Sequence, residues 1–330
     1  LAKQRFSVHF GKNIPVMACG PSPALARQDI SRQHYRMIDK LEMFIALAAE
    51  RHFGRAALAC GVTQPSLSSA IRQLEDQLGV QLVHRGSRFM GLTPEGARVL
   101  DWARRIVGDV RALKAEMRSV HSGLSGNLRI GVIPTALPMV AELTAPFIAR
   151  HPNMRVTILS RTSAEILAGI DTLELDAGIT YLDNEPLGRV AQVPLYTEFY
   201  RFLCSPDAPL SHKPAVTWAE VAVQPLCLLT ADMQNRRIVN QHLTDAGIAG
   251  QTGAMVESNS TIALISHVKT GAWASIVPKK LADMLGGTGM VSIPIIQPEA
   301  EHLVGLITAK IDPQTPVLQA LIDAAAKFKD

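Results

Sequence analysis

Apolar side chains at Leu41, Phe44, Ile45, Leu47 and Ala48 return at the interval of an amphipathic helix, which Asp39 is placed to cap. A second short helix is predicted after Phe53, where Ala56, Ala57 and Ala59 are small enough for a neighbour to cross closely, and Gly61 stands where a turn with positive φ ends it. Thr63 or Gln64 opens a third helix that tolerates Pro65 in its first turn. Leu67, Ile71, Leu74 and Leu78 give that helix one face for a core, and the opposite face carries Gln64, Ser66, Ser68, Ser69, Arg72 and Gln73. Short hydroxyls and amides let a backbone come close to base edges, and Arg72 can reach phosphate or guanine, so this face suits a major groove. After Gly79, residues 80–83 and 89–92 read as two strands around a basic tip. This is a wing, with Arg85 and Arg88 placed to hold phosphate or enter the minor groove.

Thr93, Pro94 and Glu95 then start a helix with a cap, a first-turn proline and a carboxylate at the positive end of the dipole. Running to His121, it is about 40 Å long. Ala103, Ile106, Val110, Leu113, Met117 and Val120 alternate steps of three and four along it, while its other faces are charged. That narrow seam predicts pairing with a second copy of the chain, so two recognition helices would meet two dyad-related half-sites on double-stranded DNA.

Past Gly123, Ser125 and Gly126 the pattern changes to strands alternating with helices, as in βαβ units around a largely parallel sheet. Ligands of such sheets sit beyond the carboxyl ends of strands, at helix N-termini. Thr135 follows the first strand, and Arg161 and Thr162 follow the second. Hydroxyls, amides and one guanidinium describe a site for a small anion, most simply a carboxylate. A second unit begins near Arg201, and a strand at Leu303–Thr308 returns to the first, so the chain crosses twice and can hinge.

Composition adds an asymmetry. Residues 1–121 hold 18 Lys plus Arg against 10 Asp plus Glu, and residues 122–330 hold 15 against 19. The basic half suits a polyanion, although residues 37–93 alone carry six basic and five acidic groups. Residues 1–36, basic and lacking a signal-peptide apolar run, read as a disordered N-terminal extension ahead of Met37, and the protein as cytoplasmic. No apolar run has the length of a membrane span. Cys19, Cys60, Cys204 and Cys227 have no zinc spacing, so no metal or other cofactor is expected. Cys204 and Cys227 remain a candidate redox pair if both lie on strands of one lobe.

The run from His52 to Gly96 resembles the signature of LysR-type transcriptional regulators. Ala56 and Ala57, Gln64-Pro65, Ser68, Leu74-Glu75 and the Leu92-Thr93 step into a long helix carry the likeness, and Val83 departs from it where the family has phenylalanine. The resemblance assigns DNA reading to Gln64, Pro65, Ser68, Ser69 and Arg72, with Arg85 and Arg88 in the wing. It implies dimers that pair into tetramers, with RNA polymerase as a further partner. The fold expected is an all-α winged helix-turn-helix (37–93) and a long linker helix (94–121), then an α/β two-lobed, periplasmic-binding-protein-like effector domain (122–330). Lobe I would span about 127–199 and 302–330, and lobe II about 200–301. In the cleft between them Thr135, Arg161 and Thr162 would face Phe202, Thr230, Asn259, Ser260 and Thr261.

The function expected is a transcription regulator controlled by a small organic anion, with oxidation of Cys204 and Cys227 as the alternative signal. A solute-binding protein would explain the lobes but not the helix-turn-helix. No HExxH, GxSxG, GxGxxG or complete phosphate loop marks an enzyme; Gly11-Lys12-Asn13 lacks both a preceding glycine and the hydroxyl.

Overall fold

The computed structural model describes residues 23–84, 89–247, 255–285, 289–311 and 313–328, and of 23–36 and 118–122 the backbone alone. Arg85 and Arg88 lie outside the described residues, as does the side chain of Val120.

Helix α1 (Pro23–Glu50) begins well ahead of Asp39. Neither glycine nor proline interrupts residues 24–38, so nothing in that stretch breaks a helix. This corrects two expectations: Asp39 lies inside the helix and caps nothing, and residues 23–36 of the expected extension are helical. Helix α2 (Phe53–Ala59) is capped by His52, whose Nδ1 accepts from the amides of Gly54 and Arg55 at 3.1 and 3.3 Å. Thr63 caps α3 (Gln64–Leu78) by accepting from the Ser66 amide. Leu67, Ile71 and Leu74 are buried against Phe44, Leu47, Ala56 and Leu82. Leu78, expected in that core, is 36% exposed because the helix ends there, at Gly79 with φ 69°.

Glu75 fixes the angle between α3 and the wing. Its Oε1 accepts from the amides of Leu82 and Val83 at 2.8 and 3.2 Å, and Val83 bridges Leu92 across the wing. The Thr93 hydroxyl donates to the Gln81 carbonyl at 2.6 Å and accepts from the Gly96 amide at 2.9 Å, which starts α4 (Pro94–Ser122).

Beyond the linker, β1 (Gly126–Val132), α5 (Leu137–Arg150), β2 (Met154–Ser160), α6 (Ser163–Asp171) and β3 (Ala177–Tyr181) form parallel βαβ units, with β1 between β2 and β3. Strand β4 (Val190–Cys204) is one uninterrupted strand. Its first half pairs with β10 (Glu301–Ala309), which closes lobe I antiparallel to β3, and α11 (Pro316–Ala325) packs behind. Its second half belongs to lobe II, between β8 (Ser275–Pro278) and β9 (Val291–Ile296). Lobe II adds β5 (Val216–Thr217), α7 (Trp218–Ala222), β6 (Cys227–Leu229), α8 (Gln234–Asp245), β7 (Val256–Ser258), α9 (Thr261–Lys269) and α10 (Lys279–Met284). The second unit was expected to begin near Arg201, but β4 starts eleven residues earlier, at Val190, in a stretch whose Pro194 and Glu198 disguise it as a strand.

Within one chain the N-terminal head touches lobe I. Arg111 of α4 joins Glu42 of α1 at 3.0 Å to the carbonyl of Leu173, after α6, at 2.9 Å, and Arg104 pairs with Asp171 at 3.3 Å. The side chain of Leu173 packs against the head's core.

Inside the head, Gly96 makes the tightest joint. A Cβ there would stand 2.0 Å from the Leu82 carbonyl oxygen, a backbone atom. Gly96→Ala is therefore expected to destabilise the head by about 1–3 kcal/mol. The thermal transition of the full chain reads it, and an unshifted transition would show that the wing and α4 separate freely.

Candidate DNA-binding face and interlobe cleft

On α3, Gln64, Pro65, Ser69 and Arg72 are exposed and Ser68 is half-buried, so the five side chains share the solvent face at the helix N-terminal half. Ser69 accepts from Gln73 Nε2 at 3.2 Å, which holds that amide across the face. Pro65 has no amide hydrogen and the Ser66 and Leu67 amides donate to Thr63, so this face offers side chains, backed by the positive end of the helix dipole.

The seam of α4 divides. Ala103 is fully buried among Leu100, Val107 and the rest of the head's core, so it belongs to the head and is unavailable to a partner. Ile106 is 37%, Leu113 57% and Met117 51% exposed, and Val110 is half-buried between them. Trp102, 62% exposed, extends the same stripe one turn earlier, in place of the expected Ala103. Large apolar groups left at this spacing on a long helix are what a second helix covers.

Between the lobes, α8 of lobe II lies against lobe I. Gln234 Nε2 donates to the Asp183 carbonyl at 3.2 Å, Asn235 Nδ2 donates to the Tyr181 hydroxyl at 3.1 Å, and Arg237 pairs with Glu185 through Nε at 2.7 Å. His242 Nε2 faces His302 Nε2 at 3.5 Å; His302 Nδ1 lies 3.3 Å from Asp183 Oδ2, and His242 stacks on Trp218 at 4.7 Å. A cavity of about 290 Å³ opens among Glu185, Gln234, Arg237, Gln241, His242 and His302. It is at the small end for a ligand site.

Behind this cavity sits a buried polar cluster at the point where β4 passes between the lobes. Glu198, 1% exposed, accepts a short hydrogen bond from the Tyr181 hydroxyl; Thr135 and Tyr200 hydroxyls each lie 3.4 Å from that same oxygen. Burial pushes the Glu198 carboxyl up to about 8, against the two tyrosine hydroxyls that favour its charge. Its Oε2 has no hydrogen-bond partner among the described residues.

Of the expected ligand residues, the structure brings only Thr135 into this cluster. Arg161 turns its guanidinium back to the Ser160 carbonyl at 3.2 Å, and Thr162 forms a capping box with Glu165. Phe202 is fully enclosed in the core of the effector domain, not on a cleft wall, because β4 runs between β8 and β9 there. Thr230 is half-buried beside Ser258, and Asn259 and Ser260 are exposed ahead of Thr261, away from the cavity. Gln234, Arg237, Glu185, His242 and His302 were not predicted. Next to Arg237, Arg236 is 6% exposed and paired with Glu257.

Cys204 and Cys227 are buried, and burial pushes both thiols up to about 11. Strand β8 lies between their strands: it pairs with β4, and the Cys227 amide donates to Ala274 just before it at 2.9 Å. Two strand spacings amount to about 10 Å, beyond the ~7 Å a disulfide spans.

A family model described as the bacterial regulatory helix-turn-helix protein, lysR family, matches residues 38–97, and one described as the LysR substrate binding domain matches 121–329. The chain belongs to the LysR family. Across 272 residues it is 32% identical to the DNA-binding transcriptional dual regulator OxyR of Escherichia coli (strain K12), covering 82% of this chain and 88% of that one. Its fold matches a full-length OxyR variant from Pseudomonas aeruginosa with a TM-score of 0.66 at 24% identity, covering 88% and 95% of the two chains. It also matches full-length CbnR in complex with its target DNA, with a TM-score of 0.55 at 21% identity, covering 88% and 99%. As a LysR-family member it is an effector-controlled, DNA-binding regulator and not an enzyme. No helix among the described residues is long and apolar enough to cross a membrane.

The Glu198 carboxyl gives a pH prediction. Its folded value lies above the ordinary 4.5, so the proton is held more tightly in the native state, and the stability it contributes is complete below about 4.5 and lost as pH rises through about 8. Glu198→Gln, uncharged throughout, should melt close to wild type at pH 5 and higher than wild type at pH 8.5. Parallel melting curves over that range would refute an uncharged Glu198.

Proposed function

We propose that this LysR-family regulator binds an operator as a dimer held by the Trp102, Ile106, Val110, Leu113 and Met117 stripe. It reads the operator with Gln64, Pro65, Ser68, Ser69 and Arg72, with Arg85 and Arg88 on the wing, and responds to a small organic anion in the cleft under α8. The observation that carries this reading is the single continuous strand β4 with α8 laid across to lobe I. A ligand entering beside Gln234 and Arg237 changes the distance between lobes, and lobe I touches the DNA-binding head through Arg104 and Arg111. A dimer that pairs again and contacts RNA polymerase, working in the cytoplasm where its DNA is, completes the reading.

A second reading is favoured by relatives whose names are hydrogen peroxide-inducible genes activators. Here the signal would be oxidation of cysteine. The raised thiols of Cys204 and Cys227 lower their share of reactive thiolate, so the first reading is preferred. Cys204→Ser with Cys227→Ser separates the two: a peroxide response that survives both substitutions removes this pair as the sensor.

Replacing Gln64, Ser68 and Arg72 together with alanine is expected to lower affinity for a specific promoter fragment by about 100-fold or more, at about 1–3 kcal/mol per base contact. The melting temperature should hold, since Gln64 and Arg72 are exposed and Ser68 is only half-buried. Arg72→Ala alone should reduce the salt slope of binding by about one if it holds a phosphate, and relax one base position if it reads guanine. Retained selectivity in the triple variant would remove α3 as the reading helix. On the linker, Leu113→Asp with Met117→Asp should yield monomers by sedimentation and weaken operator binding, and an unchanged dimer would assign the interface elsewhere.

A further inference from the structure

Glu185 belongs to neither sheet nor helix, yet its carboxylate is held from both lobes. Oε1 pairs with Arg237 of α8, Nε at 2.7 Å and Nη2 at 2.5 Å, while Oε2 accepts from Ser163 Oγ at 3.3 Å. Ser163, 1% exposed, is the first residue of α6, so the acid also sits at the positive end of that nine-residue helix. Arg237 is itself oriented by the Asp232 carbonyl at 2.7 Å. A fixed guanidinium on one lobe, with a hydroxyl and a helix start on the other, is the set of groups that recognises a carboxylate. Here the chain supplies the carboxylate itself.

Beside it Gln234 is 2% exposed and lines the same cavity. Its Nε2 is engaged by the Asp183 carbonyl, which fixes the orientation of the amide, and its Oε1 has no partner among the described residues. A buried amide oxygen without a donor is costly, and Glu185, carrying only acceptors, cannot satisfy it. We propose that Glu185 is a tethered occupant of the anion subsite, and that the effector is a small carboxylate with an adjacent hydroxyl or ammonium, which displaces Glu185 from Arg237 and donates to Gln234 Oε1. This rests on the cleft reading above and deepens it. The displaced acid returns to solvent, and the effector's advantage over it lies in the extra donor, the differential interaction that a switch between two closed states needs.

Glycolate and acetate, which differ by one hydroxyl, are the probes, titrated by calorimetry into the full-length protein as wild type, Glu185→Ala, Glu185→Gln and Arg237→Ala. Removing the tethered competitor should tighten glycolate binding on the order of tenfold in both Glu185 variants, because the subsite is then always vacant. Glycolate should bind tighter than acetate in each, and Arg237→Ala should abolish both. Equal glycolate affinity in wild type and Glu185→Ala, with loss in Arg237→Ala, would overturn the tethered acid while leaving the cleft. Binding that ignores Arg237→Ala, or no binding in any variant, would overturn both. Promoter binding and melting temperature report that each variant is folded; Glu185 is partly exposed on a loop, and its glutamine variant keeps the volume should alanine perturb the loop.

Discussion

The effector domain depends on a single run of backbone hydrogen bonds, β4, which pairs with β10 over its first half and with β8 and β9 over its second. A strand paired in both lobes cannot slide without breaking ladder bonds in each, so a change in the angle between the lobes must bend the chain where β4 passes from β10 to β8 and β9. The groups at that bend are therefore the ones whose protonation or ligation can matter. Glu198, Tyr181, Tyr200, Asn235 and Thr135 are packed there and joined by hydrogen bonds.

Two polar layers lie over this hinge, and their burial separates their roles. The inner one, around Glu198, is closed to water and raises a carboxyl until it is protonated near neutrality, which makes it a constraint on folding. The outer one, from Glu185 and Arg237 to His242 and His302, borders a cavity and keeps its charges partly hydrated. A charge is inexpensive to keep in the outer layer and costly in the inner one.

Helix α6 ties the cleft to the head. Its first residue, Ser163, touches Glu185, and its end carries Asp171 and leads into Leu173, which Arg104 and Arg111 hold against the linker helix. A nine-residue helix is stiff over this length, so displacement at one end is felt at the other. Leu173, with φ 59°, keeps an unfavourable backbone conformation, and its side chain packs on the core of the head.

How much was legible in the sequence follows from range. The helix-turn-helix is written in local terms: a capping Thr63, Pro65 in a first turn, Leu67, Ile71 and Leu74 on one face, Gly79 at a left-handed end. Each needs only neighbours within a turn or two, so α3 and its polar face could be read from the chain, and with them the family. The alternation of β1 to β3 with α5 and α6 was legible for the same reason. The cleft was not. Arg237 and Glu185 are 52 positions apart, and His242 and His302 are 60 apart, with nothing in the local pattern to pair them. Arg161 and Thr162 carried the right chemistry for an anion, but the carbonyl of Ser160 and the amides of α6 claim them first. Ala103 fitted the heptad and was taken by the head's core, leaving Trp102 on the surface. Sequence alone determined the helix-turn-helix, the linker helix and the βαβ start of the effector domain, and that one helix turns a polar face outward. Only the tertiary structure decided which charges meet, because the partner of a polar group is chosen by long-range packing, while its secondary structure is chosen by the residues beside it.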